Sequence, residues 1–389
     1  MQQITDTLVS WASDLDPNAR EQALRTSRLP VLAGPVALMP DAHFGIGATV
    51  GSVVATERAI LPSAVGVDIG CGMIAAETTL AADDLPDDLG KLHVLLRDRI
   101  PAGVGKGHER VPGPEPDSLR ALGLPPGSES QLSARQKEKI VTQFGSLGSG
   151  NHFLEVCLDE RGRVWVVLHS GSRGIGNELA TGHIKKAKLV AKEEAQVLED
   201  QNLAWLTEGR PEFDAYVADM LWAQRYAWAN RERMMDTALA ALRTVVRPAF
   251  EVDRINCHHN YATRETHGGR EVWITRKGAI RARAGDLGVI PGSMAASSFI
   301  VRGTGNPLSY QSCSHGAGRR MGRKEATRQL TAASLRDAMA GRTWDDAMAS
   351  DLVDEHPLAY KDVRQVMADQ ADLVEIVHEL RQVLNLKGT

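Results

Sequence analysis

Most of the side chains in this sequence that could do chemistry lie in six glycine-flanked stretches. Asp41 and His43 follow "VALMP", Asp68 and Cys71 lie in "GVDIGCGM", and Asn151 and His152 lie in "GSLGSGNHF". His169 closes "VWVVL", His258, His259 and Asn260 follow "DRIN", and His315 sits in "SYQSCSHGAGRRMGR". A single histidine is more often a satisfied or surface side chain than a ligand. Six such loops at the ends of apolar runs are harder to dismiss, because rigid scaffolds present binding groups on the loops at their strand ends.

Asp68 and Cys71, three apart in a glycine loop, can aim a carboxylate and a thiolate at one ion. With His152, His169 and His259 they make a mixed O, S and N set, more than one tetrahedral ion needs. Two ions bridged by the Cys71 thiolate would use all five. The plain alternative for Cys71 is a small buried hydrophobe. Thiolate and imidazole lean to zinc, whereas a carboxylate and open positions tolerate manganese. His315 has three readings: a ligand, the start of a turn, or a nucleophile, since neutral imidazole can attack a phosphoryl group. Arg319, Arg320 and Arg323, just downstream, could contact phosphates. No G-x-x-x-x-G-K-[ST] occurs, and "GSGNHF", "GIGNEL" and "GIGATV" fail the dinucleotide fingerprint. "GSMAAS" and "HGAG" are the places where backbone N–H groups could still meet phosphate.

The elements that must position these loops are strands and two helical stretches. Residues 31–74 alternate short β-branched runs with glycine turns, and so do the runs around His152 and His169. Residues 181–200 and about 212–246 lack proline and carry apolar stripes, predicting a helical insertion over 181–246. Residues 103–141 read as an irregular surface excursion, and a helical tail is expected from Val363. Strands, then helices, then strands again is an α+β order. Hydrophobic content of 43% with 24% charged residues fits a globular chain, and a net charge of -4 gives no global attraction to nucleic acid. The four cysteines form no C-x-x-C pair, the N-terminus reads as no secretory signal, and no apolar run approaches a membrane span. A cytoplasmic protein with free thiols is expected.

Taken together, "MPDAHFGIGATVGSV", "AVGVDIGCGM", "GSLGSGNHFLEV", "LHSGSRGIGNE", "INCHHNY", "VIPGSM", "SCSHGAGR", "AYKDV" and "NLKG" resemble the RtcB family of RNA-splicing ligases, bacterial branch. The resemblance runs from about Val31 to Gly388, with nine motifs in the family's order. It implies one compact α+β catalytic domain over residues 1–389, mixed sheets surrounded by helices, with a metal-lined cleft. It implies joining of RNA 3′-phosphate or 2′,3′-cyclic phosphate ends to 5′-hydroxyl ends, with GTP and two manganese ions in place of the zinc leaning. His315 would take GMP from GTP, and Asp68, Cys71, His152, His169 and His259 would hold the metals. The guanylate pocket would comprise Asn151, His152, Phe153, Leu154, Glu155, His259, Asn260, Pro291, Gly292, Ser293, Met294, Ser298, His315, Gly316, Ala317, Gly318, Tyr360 and Lys387. Asp41 and His43 would support these residues from behind, and Arg173, Arg319, Arg320 and Arg323 are candidates for RNA phosphate. Broken RNA and GTP are the expected partners, with no membrane, and a monomer is expected.

Two departures stand out: Ala295 replaces the family's usual glycine in "PGSMAAS", and the 103–141 region is shorter than in many members. The competing readings are a paralogue that caps 3′-phosphate ends or acts as a metal phosphodiesterase, and a non-catalytic RNA-end binder. The last has no need of a nucleophile.

Overall fold

The computed structural model describes residues 1–109, 116–246 and 250–388. Its centre is a seven-stranded antiparallel sheet in the order Glu251–His258, Gly72–Ala81, Arg163–Ser170, Phe153–Leu158, Val374–Lys387, Ser298–Gly303, Leu287–Ile290. Strand alternation sends side chains to both faces. Ile74, Ala76, Leu154, Val156, Val166 and Leu168 face one hydrophobic cluster, and Met73, Ala75, Phe153, Cys157, Trp165 and Val167 face another. Both faces are covered, which explains why these runs read as almost continuously apolar.

The first face is closed by the helix Pro211–Val245, through Met234, Met235, Leu239 and Leu242. Proline at its first turn, Glu212 and Asp214 beside it, and an interior without glycine or proline favour its 35-residue length. Each such fully buried side chain contributes roughly 2 kcal/mol. A second sheet of six strands, in the order Gln2–Thr5, Leu8–Ser10, Val36–His43, Val50–Thr56, Arg270–Lys277, Asn260–His267, packs its inner face against Ile280, Phe299, Val301 and Cys313. The result is one compact α+β body, as the order of elements implies, and no described helix is long and apolar enough to cross a membrane.

Three sequence expectations change. The helix expected from 181 begins at Arg173 and ends at Glu193, and the second runs Pro211–Val245 with its apolar stripe in the core. The 103–141 segment contains the helices Asp117–Leu122 and Ala134–Thr142, although residues 110–115 lie outside the described residues. It is anchored rather than loose: Gly127 N and Ser128 Oγ both donate to the buried Asp219, and Leu119 and Ile140 enter the core. The helical tail is confined to Val363–Asp369, and residues 374–387 form a strand. Their Glu, Leu, Gln and Arg content favours helix locally, but pairing on both sides overrides that propensity.

Candidate active site

Four neighbouring strand ends of the central sheet converge. Gly72 pairs with both His258 and Ser170, Met73 pairs with His169, and Phe153 also pairs with His169. One residue beyond this register lie Cys71, His259 and His152, so the sheet itself brings the four donors together. Cys71 Sγ is 3.4 Å from His152 Nε2 and 3.2 Å from His169 Nε2, and His169 Nε2 is 3.3 Å from His259 Nε2. Asp68 Oδ2 lies 3.1 Å from His152 Nε2. The Asp68 carboxylate is fixed by Ser172, whose N–H and hydroxyl donate to Oδ1 at 2.9 and 3.2 Å. Gly171 permits this approach, since a Cβ there would stand 2.2 Å from the same oxygen.

The tautomers follow from the backbone. His152 Nδ1 lies 2.9 Å from Leu147 O and His169 Nδ1 lies 3.0 Å from Asn151 O. A carbonyl only accepts, so Nδ1 carries the proton and each Nε2 presents a lone pair toward Cys71. The lone pair of His152 thus faces the Asp68 carboxylate, and His259 Nδ1 is buried without a partner among the described residues. Converging acceptors repel one another unless a cation lies among them. Burial, reinforced by the neighbouring imidazoles, holds His169 and His259 well below the ordinary histidine range, so both are neutral donors of lone pairs. Burial alone would raise Asp68, while the Arg173 charge and the Ser172 N–H pull it down. From the helix below, the buried Arg231 donates to Gly70 O at 2.8 Å and Ser170 O at 3.0 Å, tying the two ligand loops together.

His315 is delivered from the second sheet. The strand Arg270–Lys277 continues into Ala279–Arg281, which pairs with Ser312–Ser314. This places the His315 ring 4.8 Å, edge to face, from that of His259. Asp41, fully buried, accepts from the backbone N–H of His315 at 3.0 Å and of Gly316 at 3.2 Å. The same oxygen lies 2.6 Å from His315 Nδ1, with the ring tilted off the hydrogen-bond line. Nε2 is therefore the nitrogen left for the cavity. Gly318 closes the loop with φ +73°, and a Cβ there would meet Asp41 O at 2.3 Å.

The cavity beside His315 is lined by Asn151, Phe153, Glu155, Pro291, Gly292, Ser293, Met294, Ser298, Gly316, Ala317, Gly318, Tyr360 and Lys387, together with His43, His169, Arg319 and Arg323. Phe153, Glu155 and Cys157 share one strand face, and Leu154 points the other way into the core, so its side chain does not reach the cavity. His152, His259, Asn260 and Asp41 also stand outside the lining. Asn260 instead braces loops, accepting from Gly278 N at 2.9 Å. His43 donates from Nδ1 to Asp41 O at 2.9 Å, and burial lowers its pKa to about 4. Arg320 faces an adjoining groove. Arg173, a candidate for RNA phosphate, is only 9% exposed and donates to Ser146 Oγ, which places it in the supporting framework beside Asp68.

Two cavity residues were missed in the sequence, although the first belongs to the NLKG motif. Asn385 donates to Glu155 Oε1 at 2.8 Å and pairs with it across the sheet. Strand alternation back from Lys387 would have found it. Glu355 is the hub of the polar wall: Oε2 accepts from Lys387 Nζ at 2.6 Å and from Tyr360 OH at 2.8 Å, and Oε1 lies 2.5 Å from Arg323 Nη1. It sits among short irregular turns, where no periodicity marks it. The Lys387–Glu355 pair is almost fully buried, so losing Glu355 would leave Lys387 a buried charge without its ion-pair partner, at a cost of roughly 3–5 kcal/mol.

Ala295, which follows the cavity-lining Met294, has φ +67°, a left-handed conformation that penalises a methyl group. Ala295→Gly is expected to raise stability by about 0.5–1 kcal/mol, the relief of strain outweighing the added freedom of the unfolded chain. A denaturant midpoint shifted upward would show it, and an unchanged or lower midpoint would refute it.

Comparison with known proteins adds a family. The family model described as "tRNA-splicing ligase RtcB" matches residues 22–388. The RNA-splicing ligase RtcB of Escherichia coli is 42% identical, covering 96% of this chain and 95% of its own length. That of Mycobacterium tuberculosis is 30% identical over 94% and 100%, and the tRNA-splicing ligase RtcB of Thermococcus kodakarensis 31% identical over 95% and 90%.

Proposed function

Because the chain belongs to the RtcB family of tRNA-splicing ligases, we propose that it is an RNA ligase that joins 3′-phosphate or 2′,3′-cyclic phosphate ends to 5′-hydroxyl ends, using GTP and manganese. The observation that carries this reading is the position of His315, with a buried set of metal donors on one side and a cavity with three cationic side chains on the other. A protein that only bound RNA ends would need no such nucleophile.

Asp68, Cys71, His152, His169 and His259 would hold two manganese ions, Cys71 as its thiolate. The convergence of lone pairs and the unpartnered His259 Nδ1 support a divalent cation there, and the preference for manganese over zinc rests on the family likeness. When bound, the ions would offset phosphate charge and favour departure of pyrophosphate.

In the proposed reaction Asp41 keeps the proton on His315 Nδ1 and Nε2 attacks the α-phosphate of GTP. An N–P bond forms and the bond to pyrophosphate breaks, leaving a cationic ring beside the Asp41 carboxylate. GMP then passes to the RNA 3′-phosphate, giving a pyrophosphate-linked end and restoring neutral His315. A cyclic phosphate must first be opened by water. The 5′-hydroxyl attacks the activated phosphate and GMP leaves. Arg319, Arg323 and Lys387, held by Glu355, supply positive charge along the cavity wall. The test is to offer RNA with 2′,3′-cyclic phosphate and 5′-hydroxyl ends with GTP and Mn²⁺. Joined product is expected, and accumulation of a 3′-guanylylated end without joining would replace ligation by capping.

Glu155 is the proposed reader of guanine, because a carboxylate accepts from N1–H and the exocyclic amine together. Burial raises its pKa to about 7, against the pull of Asn385 and Lys387. The accepting form is the ionised one, so guanine affinity should increase as pH rises. Between pH 6 and 8 the ionised fraction climbs from roughly a tenth to nine-tenths, an expected gain of about tenfold. Titration calorimetry of GTP on wild type and Glu155→Gln, taken as a difference so that the nucleotide's own titration cancels, should show this dependence lost in the variant. A parallel pH response in both proteins would remove Glu155 from guanine recognition.

A further inference from the structure

Phe44 and Ile46 are 61% and 75% exposed, on a loop that two buried polar side chains hold in place. Gln22 Nε2 donates to Gly45 O and Gly47 O, each at 2.6 Å, while Gln22 Oε1 accepts from Gly45 N at 3.1 Å. From the other side Lys277 Nζ donates to Ile46 O and, at 3.0 Å, to Ser63 O. Gln22 is 6% exposed and Lys277 7%. Three successive carbonyls are thus gripped from within, and what the grip presents to solvent is apolar. Burying a lysine and an amide is costly unless they are fully used. The conformation of this loop is therefore specified, and its exposed aromatic ring is part of what is specified.

The loop also stands at the site. His43, next to Phe44, stacks on His315 with ring centroids 6.4 Å apart and an interplanar angle of 22°. A groove lined by His43, Phe44, Arg319, Arg320 and Arg323 runs on from the cavity, sharing His43, Arg319 and Arg323 with it. The charges along it are not equally available. Arg319 and Arg323 are engaged with Asp354 and Glu355. Lys361 is spent on the carbonyls of Asp14, Pro40 and Ala42. Asp16, on the far lip with Asp14, caps the helix Pro17–Thr26, and Glu325 lies at the end of the groove. Arg320 is exposed, and among the described residues nothing pairs with its guanidinium.

We propose that Phe44 is a stacking platform for the RNA base next to the reacting phosphate, with Arg320 on the neighbouring backbone phosphate. This rests on the ligase reading above and names where its polynucleotide lies. Stacking suits the task, because every base has a π-face and an enzyme that seals varied ends cannot depend on base-edge contacts. Continuity with the His315 cavity argues for the nucleic acid as occupant, since a protein seated here would close the entrance.

The test measures binding of a short single-stranded RNA bearing a 3′-phosphate, by fluorescence anisotropy without GTP, to wild type, Phe44→Ala and Phe44→Trp. Covalent labelling by GTP, which needs no RNA, is run in parallel to show that each protein is folded. Phe44→Ala should bind RNA about tenfold more weakly and Phe44→Trp should restore binding, with labelling intact in all three. Wild-type RNA affinity in Phe44→Ala with labelling intact would overturn the proposal. So would unchanged affinity with an altered mass in light scattering, which would assign the loop to a second copy. If wild type itself took no label from GTP and bound no RNA, the ligase reading would fail first and this proposal with it.

Discussion

His315→Ala is expected to abolish transfer of α-labelled phosphate from GTP to the protein and, with it, the joining of RNA ends. The Asp41 carboxylate and the HGAG turn together hold this ring at the cavity. Its loss removes the atom that forms the covalent bond, so the expected fall is at least about 10⁴-fold, as when other enzymes lose their nucleophile. His315→Asn, which preserves bulk at the turn, should fail equally. The fold should survive, because Asp41 still accepts from the two backbone N–H groups. A covalent adduct persisting in either variant would move the nucleophile elsewhere, to His259 or His43, the imidazoles nearest to it.

The second large effect is expected at Cys71. Burial, with the nearby Asp68 charge, pushes this thiol well above its ordinary range, so without a cation it stays protonated. Binding a metal through sulfur must therefore expel a proton, and metal affinity should rise with pH over the neutral range. Cys71→Ala should lose that pH dependence, weaken binding by at least about 10²-fold, and lower GTP-dependent labelling to the same extent or more. Two measurements separate this from a packing defect. Cobalt binding should give a sulfur-to-metal charge-transfer band in wild type and none in the variant, and dye-detected proton release per protein at saturation should fall by one. A variant that keeps wild-type metal affinity and labelling would show that Cys71 is a buried hydrophobe after all.

Of the candidate metal donors, Asp68, Cys71, His152 and His169 were legible because each sits beside glycine at the end of an apolar run, and strand ends are where a sheet presents side chains; His259 has no glycine near it. Convergence could not be read, since it depends on the register that sets Gly72 against His258 and Ser170. The same register separates Glu155, facing the cavity, from Leu154, facing the core. Motif membership alone treats the two alike. Arg173 stood among the candidates for RNA phosphate, and nothing in the glycine stretch around it marks its burial. It is buried because Gly148 leaves room for its guanidinium. Glu355 and Arg231 were invisible for a common reason. Each acts through several partners distant in the chain, so no local pattern surrounds it. The strand at 374–387 was misread as helix because its composition is helical and its neighbours lie more than two hundred residues away on one side.

That strand has a consequence for how the protein is made. Val374–Lys387 is inserted between Phe153–Leu158 and Ser298–Gly303, and it carries Asn385 and Lys387 into the cavity. A ribosome delivers it after every other strand of both sheets. Until it emerges, the nascent chain holds the central sheet in two separate pieces, each with an unpaired edge open to neighbouring chains. Translation that stops before residue 374 therefore gives no partly active product. It gives a chain whose cavity lacks Asn385 and Lys387 and whose central sheet has two adhesive edges, a species suited to capture by chaperones and proteases.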